Sequence, residues 1–280
     1  MRITVVTPSF NQAPYLEATL RSVLHQGYDD LEYLVLDGGS TDGSREIIAR
    51  YADRLAYWRS RPDGGQAAAI AEGFSRATGD VLYWLNSDDV LLPGALQHAA
   101  RAFRQRPEVG LVTGDCVLVD GRGRVVGLRR KWRPARFFIA RGMTYFSQTA
   151  TFFRRDAYER AGGIDPELHC VMDDELWVRM ARAGVRMARL DRRVAAFRLH
   201  PESKGGSWRG RYAEEIAALT RRGVYPRGAR RAVLGNLYRS IQLASGNYLR
   251  MAAFALARRG RPLEAVVPGA TAAAPRRDCG

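Results

Sequence analysis

The chain has 280 residues, 46% of them hydrophobic, and carries a net charge of +15 from 44 Lys+Arg against 29 Asp+Glu. That length and apolar content suit one large α/β domain or two small ones and exclude global disorder. Only Lys131 and Lys204 are lysines, and neither stands in a Gly-Lys-Ser/Thr context, which excludes a Walker phosphate loop and argues against Schiff-base chemistry. The cysteines Cys116, Cys170 and Cys279 are too far apart for a Cys-x-x-Cys zinc or dithiol site, and their sparse use fits a reducing cytoplasm.

Along the chain, Ile3 to Thr7 reads as a strand, followed by a helix from Pro14 with Leu16, Leu20 and Leu24 on one stripe. Leu31 to Leu36 is a second strand, nearly continuous in apolar residues, as a strand buried on both faces should be. A turn from Asp37 to Ser44 leads into a helix with Ile47, Ile48 and Tyr51. Leu55 to Trp58 and Asp80 to Leu85 read as strands, Ala67 to Ala77 and Pro93 to Arg106 as helices, and Gly110 to Val119 as a further strand. Such alternation predicts an α/β fold, a Rossmann-like, mostly parallel sheet flanked by helices. Beyond it come a hairpin over Val117 to Val126, a strand at Thr149 to Phe153, and helices at Asp156 to Ala161 and Asp173 to Ala183. One or two strands follow at Val185 to Leu199, then a connector from Pro201 to Ser207. The pattern is helical to about Arg259, and the Ala-, Pro- and Arg-rich end reads as a disordered tail over 261–280.

Residues 204–280 hold 15 basic residues against 4 acidic ones, whereas the first 203 are nearly balanced. A C-terminal helical extension this cationic suits an anionic membrane surface, with Arg230, Arg231, Arg258 and Arg259 as candidate contacts. No nucleic-acid motif accompanies the charge, so nucleic acid is not expected as a partner. The N-terminus lacks a signal-peptide core, and the apolar run Met251 to Ala257 is too short to span a bilayer. The expected location is cytoplasmic, with peripheral binding at the inner face of the cell membrane.

Several acids follow strands: Asp37, Asp63, and the run Asn86-Ser87-Asp88-Asp89. In a parallel sheet these ends share one edge, where open α/β folds bind ligands. Acids converging there call for a cation, and hard oxygen ligands suit Mg²⁺ or Mn²⁺, which would also take a diphosphate. No Gly-x-Gly-x-x-Gly follows the first strand, so a dinucleotide enzyme is disfavoured.

The segments Thr7 to Asn11, Asp37 to Ser44, Pro62 to Gln66, Leu85 to Asp89, Ser147 to Arg155, Gly162 to Asp165 and Met172 to Arg179, in this order, resemble glycosyltransferase family 2 over roughly residues 1–200. The resemblance implies a GT-A-type fold and an inverting transfer from a nucleotide-sugar donor, a UDP-sugar by default, to a saccharide or lipid-linked saccharide acceptor in cell-surface polysaccharide or glycolipid synthesis. It divides the chain into a catalytic domain over 1–203, with a donor half (1–115) and an acceptor half (116–203), and a basic extension over 204–260. Carried over, it places donor contacts at Pro8, Asp37, Asp63, Asn86, Ser87 and Asp88, the metal on Asp88, and the general base at Asp173. His200 is a second candidate metal ligand, and Gln148 and Asp174 are candidate acceptor contacts. Three positions depart from the family pattern: Asn86 and Met172 replace acids, and Gly38 replaces the second acid of Asp-Asp-Gly-Ser. Two other readings are weaker. A nucleotidyltransferase would favour a Gly-rich basic loop after the first strand, where Pro8-Ser9-Phe10-Asn11 stands. A non-catalytic membrane or nucleic-acid binder would have no use for Asp88 and Asp173.

Overall fold

A computed structural model describes residues 1–130, 136–144, 146–201 and 209–272. Lys131, Lys204, Cys279, the connector from 202 onward, the end of the expected tail and the side chain of Arg231 lie outside the described residues.

The first half is built from β1 (Ile3–Ser9), β2 (Leu31–Asp37), β3 (Tyr57–Ser60) and β4 (Val81–Trp84), with α1 (Ala13–Leu24), α2 (Ser44–Ala49) and α3 (Gln66–Arg76) between them. These strands pair in parallel in the order β3-β2-β1-β4. Their two-residue period splits the core. Val6, Leu34, Leu36, Leu82 and Trp84 meet α3 on one face, whereas Ile3, Val5, Tyr33, Val35, Val81 and Tyr83 meet α1 on the other.

The chain continues through β5 (Val90–Leu91), α4 (Ala95–Gln105), β6 (Val109–Asp120), β7 (Val125–Arg129), α5 (Arg136–Ile139), β8 (Thr151–Arg154), α6 (Arg155–Arg160), α7 (Met172–Arg182) and β9 (Arg186–Leu199). Here the sheet is mixed. β8 lies antiparallel between β4 and β6, β6 is parallel to β9, and β5 and β7 are antiparallel additions. The mostly parallel character expected of the sheet holds for β1 to β4 and for β6 with β9, whereas the β6–β7 hairpin and β8 run antiparallel. On the α3 face, Trp177 of α7 stacks on Trp84, with ring centroids 5.7 Å apart and planes 16° apart. That contact packs the middle of α7 against the end of β4.

Helices Arg209–Arg221, Gly228–Ala244 and Asn247–Arg258 form the basic extension. Residues 261–272, expected to be disordered, are instead packed. Leu263, Val266, Ala270 and Ala272 are buried with Val117, Val119, Val125 and Leu128 of the hairpin. The backbone of Arg261 and Leu263 pairs with Val125 and Gly123. Apolar residues spaced three to four apart in an Ala/Pro-rich segment found an apolar hairpin face to cover, which composition alone does not reveal.

Candidate active site

Because β1 to β4 are parallel, their C-terminal ends open on one edge, and register sets the groups side by side. Ser9 pairs with Asp37, Asp37 with Ser60, and Val6 with Trp84. Pro8 is buried within β1, level with Leu36. Asp37 is fully buried. Its carboxylate accepts from Gly39 N (3.1 Å), Ser40 N (2.9 Å), Ser40 Oγ (2.5 Å) and Ser60 Oγ (2.7 Å), so it frames the turn that follows β2. Asn11, with φ 51°, ties that turn to the end of β1. Its side-chain oxygen accepts from Thr41 N at 3.0 Å, and its own N–H donates to Ser40 Oγ at 2.8 Å.

Asp63 stands beside this turn. Its carboxylate accepts from Gly65 N at 2.8 Å and pairs with Arg59 at 3.0 Å. Arg59 is itself buried and also bridges Glu72 at 2.7 Å and the carbonyl of Asp37 at 2.6 Å. The departure at Gly38 has a physical reason here. A Cβ on Gly38 would lie 3.3 Å from the Phe10 ring and 3.4 Å from Asp63 Oδ1, so an aspartate there would crowd a second negative charge against Asp63. The Phe10 ring is 60% exposed beside it.

Past β4, Asn86 Oδ1 accepts from Gln66 Nε2, the first residue of α3, at 2.6 Å. Ser87 is buried, and its carbonyl accepts from Thr19 at 2.9 Å. The two consecutive acids then part. Asp89 is buried and accepts from Arg198 N at 2.9 Å and Thr149 Oγ1 at 3.1 Å; burial first, and the neighbouring Asp88 second, push its carboxyl well above the usual range. The Asp88 side chain stays 21% exposed, with His200 Nε2 at 3.0 Å from Oδ2. The fold thus brings Asp88 and His200, the two candidate metal ligands, together across 112 positions.

Sequence reasoning missed Arg198. Its guanidinium is buried; Nε donates to the carbonyl of Asp88 (2.8 Å), and the terminal nitrogens donate to the carbonyls of Asp120, Gly121 and Ala272. It also lies over the Tyr15 ring at 4.7 Å, and Tyr15 packs on His200 at 4.8 Å. Arg198 therefore fixes the backbone of the Asp88 loop, and Tyr15 fixes the imidazole beside it. One arginine among 42 gave no sequence signal.

A cavity of about 460 Å³ opens beyond this edge, lined by Gln66, Trp84, Asn86, Gln148, Thr149, His169, Asp173 and Asp174 among others. Gln148 donates to the carbonyl of Trp84 at 2.7 Å, which holds it on the cavity wall. Asp173 and Asp174 occupy the first turn of α7, where the helix dipole favours negative charge. Asp165 accepts the N–H of Glu167 at 3.0 Å and serves a turn, as its Gly-Ile-Asp-Pro context predicts. Glu175 is buried and paired with Arg179 at 2.6 Å, so it belongs to the packing of α7. The cavity thus brings Asn86, Gln148, Asp173 and Asp174 together, while Pro8 and Asp37 lie inside the sheet.

The Asp88–His200 pair suits a divalent cation. Asp88 and His200 could hold such an ion; among the described residues no group of three or more acidic, His or Cys side chains gathers. Mg²⁺ and Mn²⁺ sites of that kind are completed by water and substrate phosphate oxygens.

Residues 4–162 match the family model described as glycosyl transferase family 2. The chain belongs to that family. It is 32% identical over 184 residues to an uncharacterized glycosyltransferase of Mycobacterium tuberculosis, covering 64% of this chain and 68% of the relative. It is 29% identical over 188 residues to the O-antigen biosynthesis protein RfbC of Myxococcus xanthus, covering 65% of this chain but 14% of that much longer protein. Among solved structures it is similar to S. aureus TarS 1–349 in complex with UDP-GlcNAc (TM-score 0.61, 19% identity, 74% of this chain and 61% of that one). It is also similar to the mannosyltransferase PcManGT of Pyrobaculum calidifontis in complex with GDP-Man and Mn²⁺ (TM-score 0.60, 24% identity, 95% and 75%). The fold is that of GT-A glycosyltransferases, and the protein is a glycosyltransferase of this family.

Proposed function

We propose that this glycosyltransferase moves a sugar from a nucleoside diphosphate donor to a hydroxyl of a saccharide acceptor, with inversion at the anomeric carbon, in the synthesis of a surface polysaccharide or glycolipid. The observation that carries this reading is one juxtaposition: Asp88 with His200 at the end of the parallel edge, and Asp173 on a cavity that also holds Asn86. Asp63 and the exposed ring of Phe10 offer the nucleobase a hydrogen-bond acceptor and a stacking face. Asn86, steadied by Gln66, reaches the ribose or diphosphate side, with Ser87 and Asp37 shaping the loops beneath. Asp88 and His200 would hold Mg²⁺ or Mn²⁺, which neutralises charge on the leaving diphosphate. Asp173 takes the proton of the acceptor hydroxyl, and Gln148 and Asp174 orient that acceptor.

The relatives' names support this assignment of substrate class: RfbC is an O-antigen biosynthesis protein, and both structural neighbours are held with nucleotide sugars. A surface-polysaccharide acceptor would suit a membrane-proximal enzyme. Val233, Leu237, Leu249 and Leu256 are exposed on helices that also carry Arg230, Arg250 and Arg258, with Arg259 just past the last, a pairing suited to docking on anionic lipid. Among the described residues no helix is long and apolar enough to cross a membrane.

The direct test is a donor panel of UDP-, dTDP- and GDP-sugars with Mn²⁺, beginning with UDP-sugars and read by product release. Nucleoside diphosphate release, lost in Asp88→Ala while the melting transition is retained, supports the proposal. Pyrophosphate release from a nucleoside triphosphate and a sugar 1-phosphate, offered as a second substrate set, would identify a nucleotidyltransferase instead, and release of neither product would overturn the reading.

A further inference from the structure

A second cavity, of about 560 Å³, lies beside the first. Its size is within the range of about 300–1,000 Å³ usual for ligand pockets. The two share Thr144 and Asp174, so Asp174 stands at their junction, whereas Asp173 lines only the first. The second cavity is walled by the basic extension: Tyr212 and Ile216 from helix Arg209–Arg221, Tyr225 from the following turn, and Asn236 and Arg239 from helix Gly228–Ala244.

The walls are fixed to the catalytic half. Glu215 accepts the consecutive backbone N–H groups of His169 (2.9 Å), Cys170 (2.9 Å) and Val171 (3.2 Å), the residues that lead into Asp173. Arg182, at the end of α7, donates to the carbonyls of Ala140 (3.0 Å), Gly223 (2.9 Å) and Val224 (3.0 Å). The Tyr225 ring is buried, and a Cβ on Gly142 would lie 2.5 Å from it, so this corner is closely packed. Burial first, then Asp174 and Asp173, raise the Tyr225 phenol, which keeps it protonated.

The lining has the chemistry of a saccharide site. Gly228, Ala232 and Gly235 leave one helix face bare, so a ring can approach the backbone. Tyr212 and Tyr225 offer aromatic surface, and Thr144, Asp174 and Asn236 offer hydroxyl partners. Arg239 adds a planar cation suited to a carboxylate or phosphate. The surrounding segment, with its strong excess of arginine, favours an anionic ligand at long range. Resting on the glycosyl-transfer reading above, we infer that this cavity is the acceptor site and that its acceptor is an acidic saccharide, with its anion on Arg239 and its reactive hydroxyl directed past Asp174 toward Asp173.

The test is binding, measured apart from turnover. Saturation-transfer NMR on the full chain would compare p-nitrophenyl glucuronide, glucose 1-phosphate and p-nitrophenyl glucoside. The carboxylate or the phosphate probe should bind at least tenfold more tightly than the neutral one, and whichever is preferred names the source of the anion. Arg239→Ala should remove that preference, and Arg239→Lys should restore part of it. Ala232→Trp, which fills the bare wall, should abolish binding of all three probes. Donor hydrolysis and the melting temperature should be unchanged in each variant. Equal binding of charged and neutral sugars, or a preference that survives Arg239→Ala, would overturn the inference. Failure of every nucleotide sugar to be hydrolysed would instead strike the glycosyl-transfer reading.

Discussion

At the scale of single residues, neighbours in sequence divide the labour. Asp89 is spent inside the protein on Arg198 and Thr149, which leaves Asp88 turned toward the edge with His200. Asp173 and Asp174 also differ: Asp173 lines one cavity, whereas Asp174 lines both. Asp173→Asn keeps the size of the side chain but cannot accept a proton, so the transfer rate should fall by about 10²–10⁴. Donor affinity, followed by thermal shift, should change little. Arg198→Ala would strand the carbonyls of Asp88 and Ala272 without their donor, at a cost of about 1–3 kcal/mol for each buried group. A lowered melting temperature and weakened Mn²⁺-dependent donor binding should appear together. Glu32 gives a pH signature. Burial tends to raise its carboxyl, but hydrogen bonds from Thr4 and from the side chain and backbone of Thr78 outweigh that and hold it below its ordinary range. A depressed folded value means that its contribution is whole above about pH 4.5 and is lost as pH falls through the folded value. The stability gap between wild type and Glu32→Gln should therefore narrow on acidification below about pH 4.5 in paired melts.

Among the elements, the strands of the first half were legible because their alternation of faces is written in the apolar pattern: Val6, Leu34 and Leu82 go one way, and Val5, Val35 and Val81 the other. The positions of Asp88 and His200 just past strands and of Asp173 at a helix start were legible, because the apolar pattern marks where those elements end and begin. The pairing order of the mixed second half was not, since β8 between β4 and β6 depends on pairings over about forty to about seventy residues, which local pattern does not encode. Nor was the packed segment 261–272, whose small residues matter only against the hairpin they cover. The role of helix Arg209–Arg221 was likewise hidden, because Glu215 is an ordinary surface acid until the loop at 169–171 is brought beneath it. Glu215→Ala should slow transfer and leave donor binding near wild type, because it frees the lead-in to Asp173 without touching Asp88. Equal loss of both activities would mean that the helix supports the whole domain rather than that loop.

For the molecule as a whole, charge and apolar exposure coincide on the C-terminal helices. Leu256 is 88% exposed and Leu249 is 74% exposed, close to Arg250, Arg258 and Arg259 in the chain. Flotation should recover the protein with anionic vesicles and not with neutral ones, and salt should release it. Leu249→Ser with Leu256→Ser should weaken binding without removing its salt dependence; each buried leucine contributes about 1.5–3 kcal/mol. The contact between Arg198 and the carbonyl of Ala272 has a consequence for the order in which the enzyme becomes itself. A ribosome delivers Asp63, Asp88, Asp173 and His200 before Glu215 and Ala272. The growing chain therefore holds every group assigned to chemistry while the fastenings of the Asp88 loop and of the approach to Asp173 are still unmade. Nucleotide-sugar turnover should therefore begin abruptly, once Ala272 has cleared the ribosome, rather than rise as the sheet is completed.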